Sequence, residues 1–355
     1  MMRVALALLL SLAVLVLTAR AQEYPVVRPG VPLAFPADHG AHPQFRTEWW
    51  YVTGWLQTED GAELGFQVTF FRTRPRIDPA NPSRFAPAQV LFAHAAFSDP
   101  AVGKLLHGER SAREGFGLAG AATGNADVSI RDWHIRREAD GRWTTTVRTP
   151  DFSYDLAFRP TQAEFLQGDD GYSRKGSREG EASYYYSLPH LEVSGTLARA
   201  GGVEQVTGEA WLDREWSSQY LAPEASGWDW TGLNFDDGSA LVAFRMRGRE
   251  VDTVYAGGSW RRPDGTIVRL GPGDVRFEPV RRWRSERTGA TYPVEQVLVV
   301  RLPEGERRLP LQPLFDDQEL DGRAGGLPVY WEGAVRTEGG RGYLELTGYT
   351  TPLSL

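Results

Sequence analysis

Polar and apolar residues alternate with period two through much of the chain. From Glu63 onward, Leu64, Phe66, Val68 and Phe70 fall on one side of an extended segment, and Glu63, Gln67 and Thr69 fall on the other. Successive side chains of a strand point to opposite faces, so this spacing predicts a strand with one face inward. Asp60-Gly61 separates it from the preceding run EWWYVTGWLQT and reads as a hairpin turn. The same arrangement recurs at Trp133 to Arg137 and Trp143 to Thr149 around Asp140-Gly141, and Tyr154, Leu156 and Phe158 continue it. In the second half it predicts strands around Leu241 to Arg247, Val254 to Arg261, Thr266 to Leu270, Val297 to Leu302 and Gly342 to Thr347, with Asp264-Gly265 as a further turn. No long segment carries a 3.6-residue apolar repeat, so the pattern predicts an all-β chain built from consecutive hairpins.

Three stretches interrupt the pattern. Residues 22 to 45 carry Pro25, Pro29, Pro32, Pro36 and Pro43 and read as an extended arm lying on the first domain. Residues 73 to 88 carry Pro75, Pro79, Pro82 and Pro87, too many for the interior of a strand or helix, and so form a loop able to cover a cavity mouth. Residues 167 to 182, rich in Gly, Ser and charge, form a second candidate gating loop.

An internal repeat gives the architecture. Trp50, Thr53 and Gly54, followed by Asp60-Gly61 and Leu64, reappear as Trp228, Thr231 and Gly232, followed by Asp237-Gly238 and Leu241. The offset is 178 before the turn and 177 after it, which suggests one extra loop residue. Ser194 to Leu197 with Val206-Thr207-Gly208 and Glu332 to Val335 with Leu346-Thr347-Gly348 read as matching ends of the two copies. The expectation is a duplicated β unit: an N-terminal domain over residues 22–222, a C-terminal domain over 223–355, and a boundary at APEAS. Each unit closes into an antiparallel barrel, which removes exposed edges and can hold one apolar ligand within a barrel or at the seam.

Composition narrows the setting. Arg3, the apolar run Val4 to Leu17 and Ala19-Arg20-Ala21 form the three parts of a secretory signal peptide over residues 1–21, cleaved after Ala21. The run is too short for a comfortable membrane span, so a periplasmic or secreted protein with no stable span after cleavage is expected. The absence of cysteine excludes a disulfide scaffold and a lipid anchor on an N-terminal Cys. The net charge of −7 becomes more negative once Arg3 and Arg20 leave with the signal peptide, so no nucleic-acid partner is expected.

Candidate chemistry concentrates between Tyr184 and Trp230, which holds three consecutive tyrosines, His190, Trp211, Trp216, Trp228, Trp230, Asp213 and Glu215. In a strand, Trp211, Asp213 and Glu215 share one face, while Leu212, Arg214 and Trp216 share the other. This puts two carboxylates beside an indole, although Asp213, Arg214 and Glu215 would equally serve as an ion-pair network between domains. His94, set among apolar neighbours, reads as a core histidine or a ligand contact. His39 and His42 lack a nearby third ligand, so no metal site is expected. There is no G-x-S-x-G elbow, H-E-x-x-H pair or cysteine nucleophile, and the sequence gives no support for classical hydrolysis.

The segments EWWYVTG, YYYSLP, VSGTL, VTGEAWLDREWS, GWDWTGLNFDDG, YWEGAV and GYLELTGY resemble the AttH-like family that includes carotenoid 1,2-hydratase (hydroxyneurosporene synthase). The resemblance covers most of the chain. It implies two tandem lipocalin-like (calycin) antiparallel β-barrels and hydration of a terminal alkene without a cofactor. That chemistry needs a carboxylic acid kept protonated by an apolar pocket and aromatic faces for the developing cation. Asp213 fits the acid and Glu215 a group directing water. Trp50, His94, Tyr185, His190, Trp211, Trp216 and Trp230 are the expected ligand-binding or supporting residues. The expected partner is a hydrophobic, isoprenoid-like molecule or lipid. An export signal sits poorly with a substrate reached from the cytoplasmic side. A non-catalytic carrier of a hydrophobic ligand, or a Trp-rich interaction module, are the alternatives.

Overall fold

The first hairpin sets the frame: Thr47–Thr58 pairs with Glu63–Thr73 so that Leu56 lies opposite Leu64 and Val52 opposite Val68. The computed structural model describes residues 24–78, 81–83 and 85–353, and the signal peptide expected over 1–21 lies outside them. The main path of the first sheet runs Leu105–Arg113, Val90–Ser98, Glu63–Thr73, Thr47–Thr58, Gly202–Gln219, Ala182–Arg199, Ser153–Pro160, Trp143–Arg148, Trp133–Arg137, Asp127–Ile130, Ala119–Ala121. The second runs Ile267–Leu270, Tyr255–Arg261, Ala240–Gly248, Ala225–Phe235, Gly340–Thr347, Val329–Thr337, Gly305–Pro313, Thr291–Leu302, Val275–Arg284. Within each unit the first strand pairs with the last, and the sheet curls until its two ends approach each other. The result is an all-β protein of two barrel-like antiparallel sheets.

The repeat is real, but its register differs from the sequence match. Leu56 faces Leu64 in the first hairpin and Leu233 faces Leu241 in the second, an offset of 177 on both strands. The turns agree: the Thr58 amide donates to the Ala62 carbonyl as the Phe235 amide donates to that of Ser239. Trp50 therefore does not correspond to Trp228. A one-residue slip reverses every side chain, and Trp50 faces a barrel interior whereas Trp228 faces outward. Gly208 corresponds to Gly342 rather than Gly348: each packs a bare Cα against the first strand, where a Cβ would strike the carbonyl of Trp55 or of Gly232.

Both barrel interiors are filled. Trp50, Phe66, Phe70, Trp133, Trp143 and Tyr186 are among the side chains packing the first, and Leu241, Trp260, Leu298, Trp331 and Leu344 are among those packing the second. A separate apolar cluster joins the outer faces of the two units, with Tyr51, Trp55, Tyr185 and Trp211 from one and Trp230, Val242, Phe244 and Tyr343 from the other. This seam explains why Gln67 and Thr69, on the polar side of their strand, are nevertheless buried.

Candidate active site

The seam encloses a cavity beside the Gly202–Gln219 strand. It is lined by Trp49, Tyr51, Thr69, Phe71, Lys175, Asp213, Glu215 and Tyr220 from the first unit and by Trp228, Trp230, Phe244, Met246, Tyr330, Glu332 and Glu345 from the second. About 80 Å³ of it is wide enough for the centre of a water molecule to move. The cavity thus takes a small group without rearrangement, far less than the ~300–1,000 Å³ of a typical ligand pocket.

Strand alternation places Asp213 here. It is 3% exposed and faces the seam, while its neighbour Arg214 points into the first barrel and pairs with Glu48. Three donors hold the Asp213 carboxyl: Ser187 Oγ at 2.6 Å and Trp211 Nε1 at 2.7 Å to Oδ1, and the Tyr185 hydroxyl at 2.5 Å to Oδ2. Trp230 Nε1 in turn donates to the Tyr185 oxygen at 3.1 Å. Burial pushes the Asp213 pKa up to about 7 against these three donors, and the charge on Glu215 adds to the rise. The carboxyl is therefore divided between acid and carboxylate near neutrality.

Glu215 sits differently. Its carboxylate accepts from Ser183 and pairs with Lys175 Nζ at 3.1 Å, and that ammonium lies over the rings of Phe244 at 4.1 Å and Tyr185 at 4.7 Å. Lys175 comes from the 167–182 stretch, so the segment expected to gate the site delivers a charge into its wall. Opposite, the second unit contributes Glu332 and Glu345, directly paired across Val329–Thr337 and Gly340–Thr347. Burial and mutual repulsion push Glu332 well above the ordinary carboxylate range, and burial does the same to Glu345, which Trp228 Nε1 contacts at 2.9 Å. Glu332 Oε1 and the nearby Tyr51 hydroxyl are buried without a hydrogen-bond partner.

Other expected site residues lie elsewhere. Trp50 and Trp216 point into the first barrel, where they sandwich Arg214, its guanidinium 3.9 Å from the Trp50 ring and 5.2 Å from that of Trp216. His94 stands behind the cavity wall, its Nδ1 2.8 Å from the Tyr330 hydroxyl, and burial lowers its pKa to about 3, leaving it neutral. His190 lies at a bulge with φ of 51° and ties the units together, Nδ1 2.6 Å from Glu209 and Nε2 donating to the Ser239 carbonyl at 2.9 Å. Tyr185 and Trp211 support Asp213 from behind, and of the expected aromatic contacts Trp230 lines the cavity. His39 and His42 are taken up by Tyr186, Asp38 and Glu48.

The AttH-like family model matches residues 26–349. The chain belongs to the AttH-like family. A crystal structure of NE1406 from Nitrosomonas europaea, itself assigned to AttH, is 52% identical to this AttH-like chain, covers 92% of it and 100% of its own length, and superposes with a TM-score of 0.85. Kievitone hydratase from Nectria haematococca shares the fold at 15% identity and a TM-score of 0.66, over 93% of this chain and 96% of its own. CghA, solved with Sch210972, does so at 13% identity and a TM-score of 0.52, over 92% and 95%. No curated protein matches the sequence.

The missed residues, Lys175, Glu332 and Glu345, come from separate segments that the seam brings together. Glu345 did carry a signal, as a lone acid between apolar residues in the strand predicted over Gly342 to Thr347, and Glu332 lies in one of the segments that carry the family resemblance, YWEGAV.

Proposed function

We propose that this protein is a cofactor-independent hydratase, or a lyase or isomerase of related chemistry, acting on an alkene of an isoprenoid-like group that enters the seam cavity. The observation that carries this reading is the Asp213 carboxyl: buried, facing an indole-lined cavity, free of any cationic partner on its own face, and raised to about 7. A carrier gains nothing from burying Asp213, Glu332 and Glu345 around one cavity, because each costs stability whenever it ionises. General acid catalysis needs a group in this state, since a proton donor works best with a pKa near the working pH. Kievitone hydratase, which shares the fold, is named for a hydratase activity.

In the forward step Asp213 transfers its proton to one alkene carbon, forming a C–H bond and leaving positive charge on the more substituted carbon. Trp49, Trp228 and Trp230 line the space where that charge develops, and an indole face turned to it would stabilise the cation. Water attacks the cation and a carboxylate takes the released proton; exchange of protons with solvent water then returns Asp213 to the acid and that carboxylate to the base. Glu345 suits this second part better than Glu215, whose charge is committed to Lys175. The reverse sequence is dehydration by the same groups.

Asp213→Asn keeps the shape and the Ser187 contact but removes the acid. Mass-spectrometric detection of water addition to a prenyl alkene should find turnover lost, with ligand affinity unchanged within about twofold by calorimetry. Equal turnover in the variant would remove the hydratase reading and favour the carrier. A carrier would also be marked by a stoichiometric hydrophobic ligand in native mass spectra of protein from its own host.

A further inference from the structure

A second cavity shares the side chain of Tyr220 with the first. It holds about 650 Å³ and its lining includes Arg46, Arg76 and Arg249 together with Phe92, Leu221 and Leu353, but no Asp or Glu. In a chain with 46 acidic and 39 basic residues, three cations around one hollow without a carboxylate is a marked imbalance. No described acidic side chain pairs with any of the three, although arginine pairs are numerous elsewhere on the surface. Glu224, next to this lining in sequence, is committed to Arg178.

The two spaces share a wall. Tyr220 lines both, and its ring meets Trp49 edge-on at 5.1 Å and Trp228 at 6.2 Å, two indoles of the inner cavity. Phe71 of the inner wall stacks on Phe92 of the outer wall at 4.6 Å. The charge of Arg46 acts on the Tyr220 hydroxyl. Packed aromatic rings thus form the partition between a cationic hollow and the cavity that holds the carboxyl of Asp213.

We propose that the ligand is an anionic amphiphile whose carboxylate or phosphate sits among Arg46, Arg76 and Arg249 while its apolar end passes Tyr220 into the seam. This rests on the reading that the seam binds the reacting end, and adds the charged class of the molecule. The narrow inner cavity and the wide outer one fit such a division: a short unsaturated terminus inside, a solvated head outside. Arginine is suited to the head, since its planar fork matches carboxylate and phosphate oxygens.

The test compares three probes that share one chain, farnesol, farnesoic acid and farnesyl phosphate, below their aggregation limits, by calorimetry on the whole protein. Either anion should bind roughly tenfold or more tighter than the alcohol. That advantage should shrink as salt rises, and disappear in the triple variant R46Q/R76Q/R249Q while the affinity for farnesol stays the same. A preference for one anion identifies the head group. Equal binding of alcohol and acid by the native protein overturns the vestibule and leaves the seam cavity intact, as does a preference that survives the triple substitution. Failure of all three to bind overturns both. A preference for the anion accompanied by unchanged turnover in Asp213→Asn supports the vestibule and removes the hydratase.

Discussion

Asp213 shows how far the protein departs from ordinary carboxylate behaviour. Its folded pKa of about 7 lies above the usual 3.8, and Glu345 and Glu332 are raised in the same direction. A carboxyl raised by folding stabilises the protein fully below its unfolded value, and that contribution is lost as pH climbs through the folded value. Stability should therefore fall between about pH 4 and 7, by up to about 1.4 kcal/mol per pH unit for each such group. Denaturant unfolding across this range should show the decline, with a shallower slope in Asp213→Asn and Glu345→Gln. A slope unchanged in both variants would mean that these carboxyls ionise freely. Asp213 could be found from sequence because a period-two strand fixes which residues share its face. Trp216 lies on the face opposite Asp213, as the same alternation gives; Trp50 reaches that face through its pairing with Arg214, and His190 sits at a bulge that breaks the alternation, neither of which the sequence displays.

At the scale of elements, alternation and Asp-Gly turns made most hairpins readable, including Thr47–Thr58 with Glu63–Thr73 and Ala225–Phe235 with Ala240–Gly248. Val275–Arg284 and Gly305–Pro313 were not readable, since their inner Pro279 and Pro310 and many exposed charges hide the pattern. The repeat was visible, yet matching tryptophans gave a register one residue wrong, and only strand pairing corrects it. The 167–182 segment carries the sharpest prediction at this scale. Lys175→Met leaves Glu215 buried with the Ser183 hydroxyl and no cation, which should cost about 3–5 kcal/mol of unfolding free energy. The double variant Lys175→Met/Glu215→Gln should recover a substantial part, since it removes the stranded charge. Chemical denaturation of the three proteins checks this, and a single variant as stable as the native protein would show that the pair lies outside the core.

For the whole molecule, function follows from packing two units by their outer faces. Each barrel is plugged by its own side chains, and the cavity that holds Asp213 lies where that residue and its supports from one unit meet Trp230, Glu332 and Glu345 from the other. The part played by Glu332 and Glu345 could not be read from the sequence, because they lie more than a hundred positions from Asp213 and face it only once both sheets have curled. The chain contains 12 tryptophans distributed over both barrel interiors and the seam, and their assigned indole ¹⁵N–¹H signals report on all three regions at once. Titration with farnesoic acid should shift the indoles of Trp49, Trp228 and Trp230 and leave those of Trp133, Trp143 and Trp331 in place. Shifts confined to the barrel-interior indoles would contradict a binding site at the seam.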